Sequence, residues 1–284
     1  MKQASGGVAT MNTVARELAM LHVKSQVSDR AFVGVAALAF LASAATTIVW
    51  CGSMAGMSGM PMPGDWTMSM TWMRMPGQEW SGAALSFIAM WSVMMVAMML
   101  PSLMPMLSRY RRALVGRGVA DLGRKTFTAG TAYFIAWSIS GAIIFPLGIG
   151  LAQAQMQHAS LAQAVPALTG LVLVLCGAFQ FTAIKQRCLA CCRAAPRCLS
   201  TAGEDSAWRD GVKLAVRCAA CCANLMLILL VIGVMDLVAM AIVTVAITSE
   251  RVAPSGKRAA QVNGVVAVVA GWFLTLDALV AATT

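Results

Sequence analysis

The chain has 284 residues, of which 59% are hydrophobic and 11% charged, and its net charge is +10. A soluble domain carries about 25% charged residues, so this composition excludes an ordinary soluble protein and predicts an all-α, polytopic membrane helical bundle. The basic residues fall in short segments between apolar runs, the pattern of membrane topology, which excludes nucleic acid as the partner of that charge.

Residues 1–30 are polar and mixed, without the basic start and immediate apolar run of a signal peptide. They read as a cytoplasmic N-terminal arm, or an interfacial helix, ahead of a single transmembrane domain over 31–284. The first span is predicted at Ala31–Trp50. An outer loop, 51–80, follows and holds Met54, Met57, Met60, Met62, Met68, Met70, Met73 and Met75 among Gly, Pro, Ser and Asp. A loop has no core for these side chains to fill. Thioether sulfur is a soft ligand that selects Cu(I), so Met54, Met57, Met60 and Met62 are candidate capture ligands. The plainer alternative is a flexible linker of biased composition.

The second span is predicted at Ala83–Leu107. At about 100° per residue, Met90, Met94 and Met98 share one side of this helix, and Met95, Met99 and Met106 share another. Methionines at i and i+4 can bring two sulfurs to one ion; equally, methionine fills irregular gaps in a packing helix. Pro101 and Pro105 each free a carbonyl one turn earlier. Spans three and four are predicted near Phe127–Leu151 and Leu161–Ile184.

A cytoplasmic loop over 185–217 carries Cys188, Cys191 and Cys192 in one C-x-x-C-C unit, with Cys198 beyond. Cys218, Cys221 and Cys222 form a second unit at the start of an apolar stretch, 218–248. Two C-x-x-C units can close a four-thiolate site. Thiols on a cytoplasmic face stay reduced, and Arg187, Arg193, Arg197 and Arg217 nearby favour thiolate. The alternative is that these small side chains pack helices, as Cys51 and Cys176 are expected to do.

As one helix, 218–248 would be about 47 Å long against a hydrocarbon core of about 30 Å. It is therefore either one long tilted helix or a re-entrant pair of arms meeting at Gly233–Asp236. Asn224, Asp236 and Asp277 are polar at membrane depth, where such groups face a cavity, a partner or an ion. Met235, Asp236 and Met240 join the candidate metal ligands. Glu250 is expected to pair with a basic loop residue, and His22 and His158 read as loop residues. The last span is predicted near Val262–Val280, making six spans or a broken equivalent.

The loops alternate in charge. The first holds only Arg74; the second holds Arg109, Arg111, Arg112, Arg117, Arg124 and Lys125; the third, around His158, holds none; the fourth is basic again. The positive-inside rule then puts the N-terminus and the basic loops in the cytoplasm of a bacterial inner membrane, with the methionine loop outside.

The string Met90-Trp91-x-Val93-Met94-Met95-x-Ala97-Met98-Met99-x-Pro101-Ser102, the two cysteine units, Gly233-Val-Met235-Asp236, Met240 and Glu250 together resemble a bacterial family of predicted metal-binding integral membrane proteins. The likeness runs from span two to about Gly256 and implies metal binding. Ala223 and Ala239 stand where the family pattern has aromatics. No nucleophile motif, phosphate loop or dinucleotide fingerprint is present, so the reading leans away from an enzyme.

Two functions follow. In the first, outer thioethers capture Cu(I), methionines and Asp236 pass it inward, and cytoplasmic thiolates receive it, for uptake or for delivery to a partner metalloprotein or membrane subunit. In the second, the cysteines hold an iron–sulfur cluster or exchange disulfides; zinc is a further candidate for the thiolates. A third, plainer role is an assembly subunit whose Met and Cys only pack.

Overall fold

A computed structural model describes residues 4–55, 59–64, 66–73, 77–116, 121–198 and 204–281. Among them are eight α-helices and one short hairpin: α1 (Ala4–Ala55), β1 (Met60–Met62), β2 (Trp66–Met68), α2 (Trp80–Val115), α3 (Leu122–Gln157), α4 (Ala159–Phe179), α5 (Ala183–Cys198), α6 (Glu204–Ile232), α7 (Leu237–Val252) and α8 (Gly256–Ala281). The all-α expectation holds. Six helices are long and apolar enough to cross a membrane: α1 over Asp29–Met54, then α2, α3, α4, α6 over Ser206–Ile232, and α8 over Gly256–Val280. That number agrees with the sequence reading and is in keeping with a multi-pass membrane protein.

The arm read as 1–30 is helical from Ala4 and continues without a break into the first span. The segment 185–217, expected as a loop, is helical too: α5 covers its first part and α6 begins at Glu204. Arg and Lys are good helix formers, so a basic segment between spans need not be irregular.

Helix α2 is the centre of the bundle, packed against α1, α3, α5 and α7. Both of its methionine faces are therefore inside: Met90, Met94, Met95, Met98, Met99 and Met106 are all buried. Trp91 is held between α2 and α3. Its indole N–H donates to the Trp137 carbonyl at 3.0 Å, its ring stacks on Phe87, and Gly141 leaves the space that its ring fills.

Helices α4 and α8 approach through glycines. A Cβ on Gly177 would lie 2.8 Å from the Gly264 carbonyl oxygen, and one on Gly271 would lie 2.6 Å from that of Gly170. The two glycines of each helix are seven residues apart, so they fall on one side and let the backbones meet.

The stretch 218–248 breaks at Gly233–Asp236. Gly233 has φ +142°, and the Asp236 carboxylate caps α7 by accepting from the Ala239 N–H at 2.8 Å. Helix α7 then runs back along α6 until Arg251 reaches Cys218. Each arm, Cys218–Ile232 and Leu237–Arg251, spans about 21 Å. The hairpin alternative is the one observed.

The bundle thus has two chemically different ends. One carries the β-hairpin, the α3–α4 junction and the α6–α7 break, and is called here the methionine end. The other, basic end carries the α2–α3 junction, α5 and the α7–α8 turn; there Arg111 pairs with Asp29 at 3.0 Å.

Candidate metal centre

At the methionine end, β1 and β2 pair antiparallel with Met60 opposite Met68 and Met62 opposite Trp66. Met62 and Met68 are buried, packing with Trp66 and Trp72 on Ala152 and Ala162 of α3 and α4. The Trp66 indole N–H donates to the Ala162 carbonyl at 2.9 Å and fixes the hairpin there. Met60 stays exposed and Met54 partly so. Met57 and Met75 lie outside the described residues. The loop is thus partly a folded cap rather than a plain linker.

Cys51, read from sequence as a packing residue, is buried one turn before Met54, and its Sγ lies 3.8 Å from Met235 Sδ. Met235 sits in the α6–α7 break. Met240 is buried in α7, while Asp236 is exposed and engaged as the cap. Asp277 is exposed. The core methionines of α2 lie in the same buried cluster as Cys51 and the cysteines of α6.

At the basic end the cysteine units are helical, and helical spacing sorts them. In α6, Cys218, Cys221 and Cys222 are all buried; they stand at i, i+3 and i+4, which share one face. In α5, Lys185, Leu189 and Cys192 form the inward face, Cys188 is half-buried and Cys191 is exposed. The structure therefore brings Cys192, not Cys191, to α6. The Cys192 thiol lies within interaction range of Cys221, and Cys218 and Cys222 have their sulfurs 4.0 Å apart. Among the described residues, no group of three or more His, Cys, Asp or Glu is arranged to hold one metal ion. The four thiols stand as two neighbouring pairs.

Two residues that sequence reasoning did not assign to the site contact the Cys218 sulfur, and a third, Ser102, holds one of them. The Tyr133 hydroxyl lies 2.9 Å from its sulfur. Arg251 Nη2 donates to the same sulfur at 2.6 Å, and its Nη1 donates to Ser102 Oγ at 3.0 Å. Arg251 follows the apolar stretch 218–248, yet it is only 4% exposed. The one available signal was its place beside Glu250.

Beside the thiols lies a buried ion pair. Lys185 Nζ is 2.8 Å from Glu250 Oε2 and also donates to the Cys221 carbonyl at 2.6 Å and to Asn224 Oδ1 at 3.2 Å. Glu250 Oε1 accepts from Gln180 and Asn263 at 2.8 and 3.0 Å. Glu250 thus pairs with a basic residue, as expected, and Asn224 is tied to Lys185. A narrow cleft whose lining includes Ser102, Met106, Arg109, Cys192, Arg193 and Arg251 adjoins the thiols.

No curated protein and no solved structure matches the chain. A family model, PpoB2, described as copper chaperone, matches residues 88–274, about two thirds of the chain, from the methionine helix through both cysteine units to α8. With this match, the chain belongs to the PpoB2 copper chaperone family.

Proposed function

We propose that the protein is a multi-pass copper chaperone of the bacterial inner membrane that takes Cu(I) on thioethers outside and passes it to thiolates inside, for delivery to a partner metalloprotein. The observation that carries this reading is the pair Cys218–Cys222, buried beside the pair Cys192–Cys221 in a chain of a copper chaperone family. Metal–thiolate bonds of about 2.3 Å let one ion bridge two sulfurs separated by up to about 4.6 Å, so a 4.0 Å pair needs little movement to close on it. Soft thiolate ligands select Cu(I). Two pairs side by side suit an ion that accepts few sulfurs and moves between them, whereas an iron–sulfur cluster takes four thiolates around one centre.

On the outer side, Met54, Met57, Met60 and Met62 are the proposed capture residues, with Met235 in the α6–α7 break and Cys51 of α1 against it. Met90, Met94, Met95, Met98, Met99 and Met240 line the route through the core. Ligand softness rises along this path from thioether to thiolate, which favours inward transfer. Cys188 and Cys191, on the outer side of α5, stand where a partner reaches them.

Anaerobic titration of the detergent-purified full chain with Cu(I), against a competing chromophoric chelator, tests this. Wild type is expected to bind Cu(I), and the double variant Cys218→Ser, Cys222→Ser to lose at least one equivalent. If that variant binds as much as wild type, the pair is not the site. If wild type takes up no Cu(I), the whole reading falls.

A further inference from the structure

Arg251 has an unusual position. It is buried, it is in contact with sulfur, and among the described residues no carboxylate pairs with it. Glu250, its neighbour in sequence, is already matched by Lys185 and by two amide donors. What Arg251 has instead is Ser102 Oγ, the Cys218 carbonyl at 3.4 Å and Cys218 Sγ. Its Nε is buried without an acceptor. Arg193 and Arg109, which line the adjoining cleft, add positive charge and no acid. A buried charge is strongly disfavoured unless something nearby neutralises it, and arginine cannot shed its proton to escape.

We propose that Arg251 is the counter-charge of a two-thiolate, one-cation unit at Cys218 and Cys222, and so makes this pair selective for a monovalent soft ion over a divalent one. The inference rests on reading that pair as the Cu(I) site. The accounting is simple. Two thiolates and one Cu(I) carry a net charge of −1, which the guanidinium cancels. Two thiolates and one Zn(II) are neutral, and leave the guanidinium without a partner in the bundle interior. The thiol protons leave to solvent as either ion binds, so the difference lies in the charge that remains. The free Nε and the Nη2 already on Cys218 are the donors that such an anionic unit would take. Arg251 is thus a positioning and charge-balancing residue, not itself a ligand.

The test compares Cu(I) and Zn(II) affinities of the full chain in wild type, Arg251→Lys and Arg251→Gln. Charge-assisted hydrogen bonds predict that R251Q weakens Cu(I) binding at the pair by roughly ten- to a hundredfold, with Zn(II) binding unchanged or stronger. R251K, which keeps the charge, is expected to retain the preference for Cu(I). If R251Q weakens both metals alike, if it weakens neither, or if R251K behaves as R251Q does, the proposal is overturned. Should R251Q not fold, wild type decides: Zn(II) held at Cys218 and Cys222 as tightly as Cu(I), and lost in the double serine variant, refutes the charge argument. Cu(I) binding that ignores the double serine variant refutes the site itself, and is distinguishable from both.

Discussion

Lys185 and Glu250 show what a charge costs in this bundle and how it is offset. Neither is accessible to solvent, and the two lie 2.8 Å apart, each with further hydrogen-bond partners. Removing one partner of such a pair leaves the other buried and unmatched, at a cost of about 3–5 kcal/mol. Glu250→Leu is therefore expected to lower the thermal midpoint strongly in detergent, and Lys185→Met likewise. The double variant K185M, E250L should recover much of that loss, because packed apolar groups replace the pair. It should not recover Cu(I) binding at Cys192 and Cys221, since Lys185 also holds the Cys221 carbonyl. If the two single losses simply add in the double variant, the residues do not act as a pair. The charge of Lys185 and the acid of Glu250 could be noticed in the sequence; that they find each other across 65 positions could not.

At the scale of elements, the joint between α4 and α8 is made by backbone rather than by large side chains. Gly170, Gly177, Gly264 and Gly271 sit where a Cβ would press on the opposite helix or its flank. Gly177→Ala is expected to destabilise the protein by about 1–3 kcal/mol, the usual cost of overpacking. Gly34→Ala is the control: nothing lies within 4 Å of a Cβ there, and alanine favours a helix over glycine by up to about 1 kcal/mol. Equal melting shifts for the two variants would show that the close approach is not a tight joint. Helix spacing also explains which cysteines face the interior. In C-x-x-C-C on a helix, positions i, i+3 and i+4 lie on one broad face, with i+3 and i+4 on either side of i, so a modest rotation buries all three or leaves one outside. The rotation of α6 brings all three of its cysteines inward, and that of α5 brings chiefly Cys192. The pattern named both units, but rotation about each axis chose the members.

For the molecule as a whole, the alternation of charge from end to end predicts its orientation. Single-cysteine labelling on a cysteine-free background tests this with Ser69→Cys, exposed just after the hairpin, and Lys257→Cys, exposed at the start of α8. Position 69 is expected to react with an impermeant thiol reagent from outside the cell and position 257 only after lysis. The reverse pattern would invert the proposed direction of transfer. Spans, their number and the sign of each end were legible from sequence because they are local properties: lipid demands about 20 apolar residues in a row, and basic residues beside a span mark its side. The clusters of sulfur-bearing residues were legible for the same reason, as runs of Met and Cys. The sequence left open whether 218–248 crosses once or turns back, and the turn was decided by the Gly233 backbone, the Asp236 cap and the packing of α7 on α2 and α8. It likewise did not reveal that Cys51 meets Met235, that Cys192 rather than Cys191 meets Cys221, or that Arg251 leaves the surface for Cys218. Each of these depends on how helices distant in the chain are rotated and seated, and only packing of the whole bundle sets that.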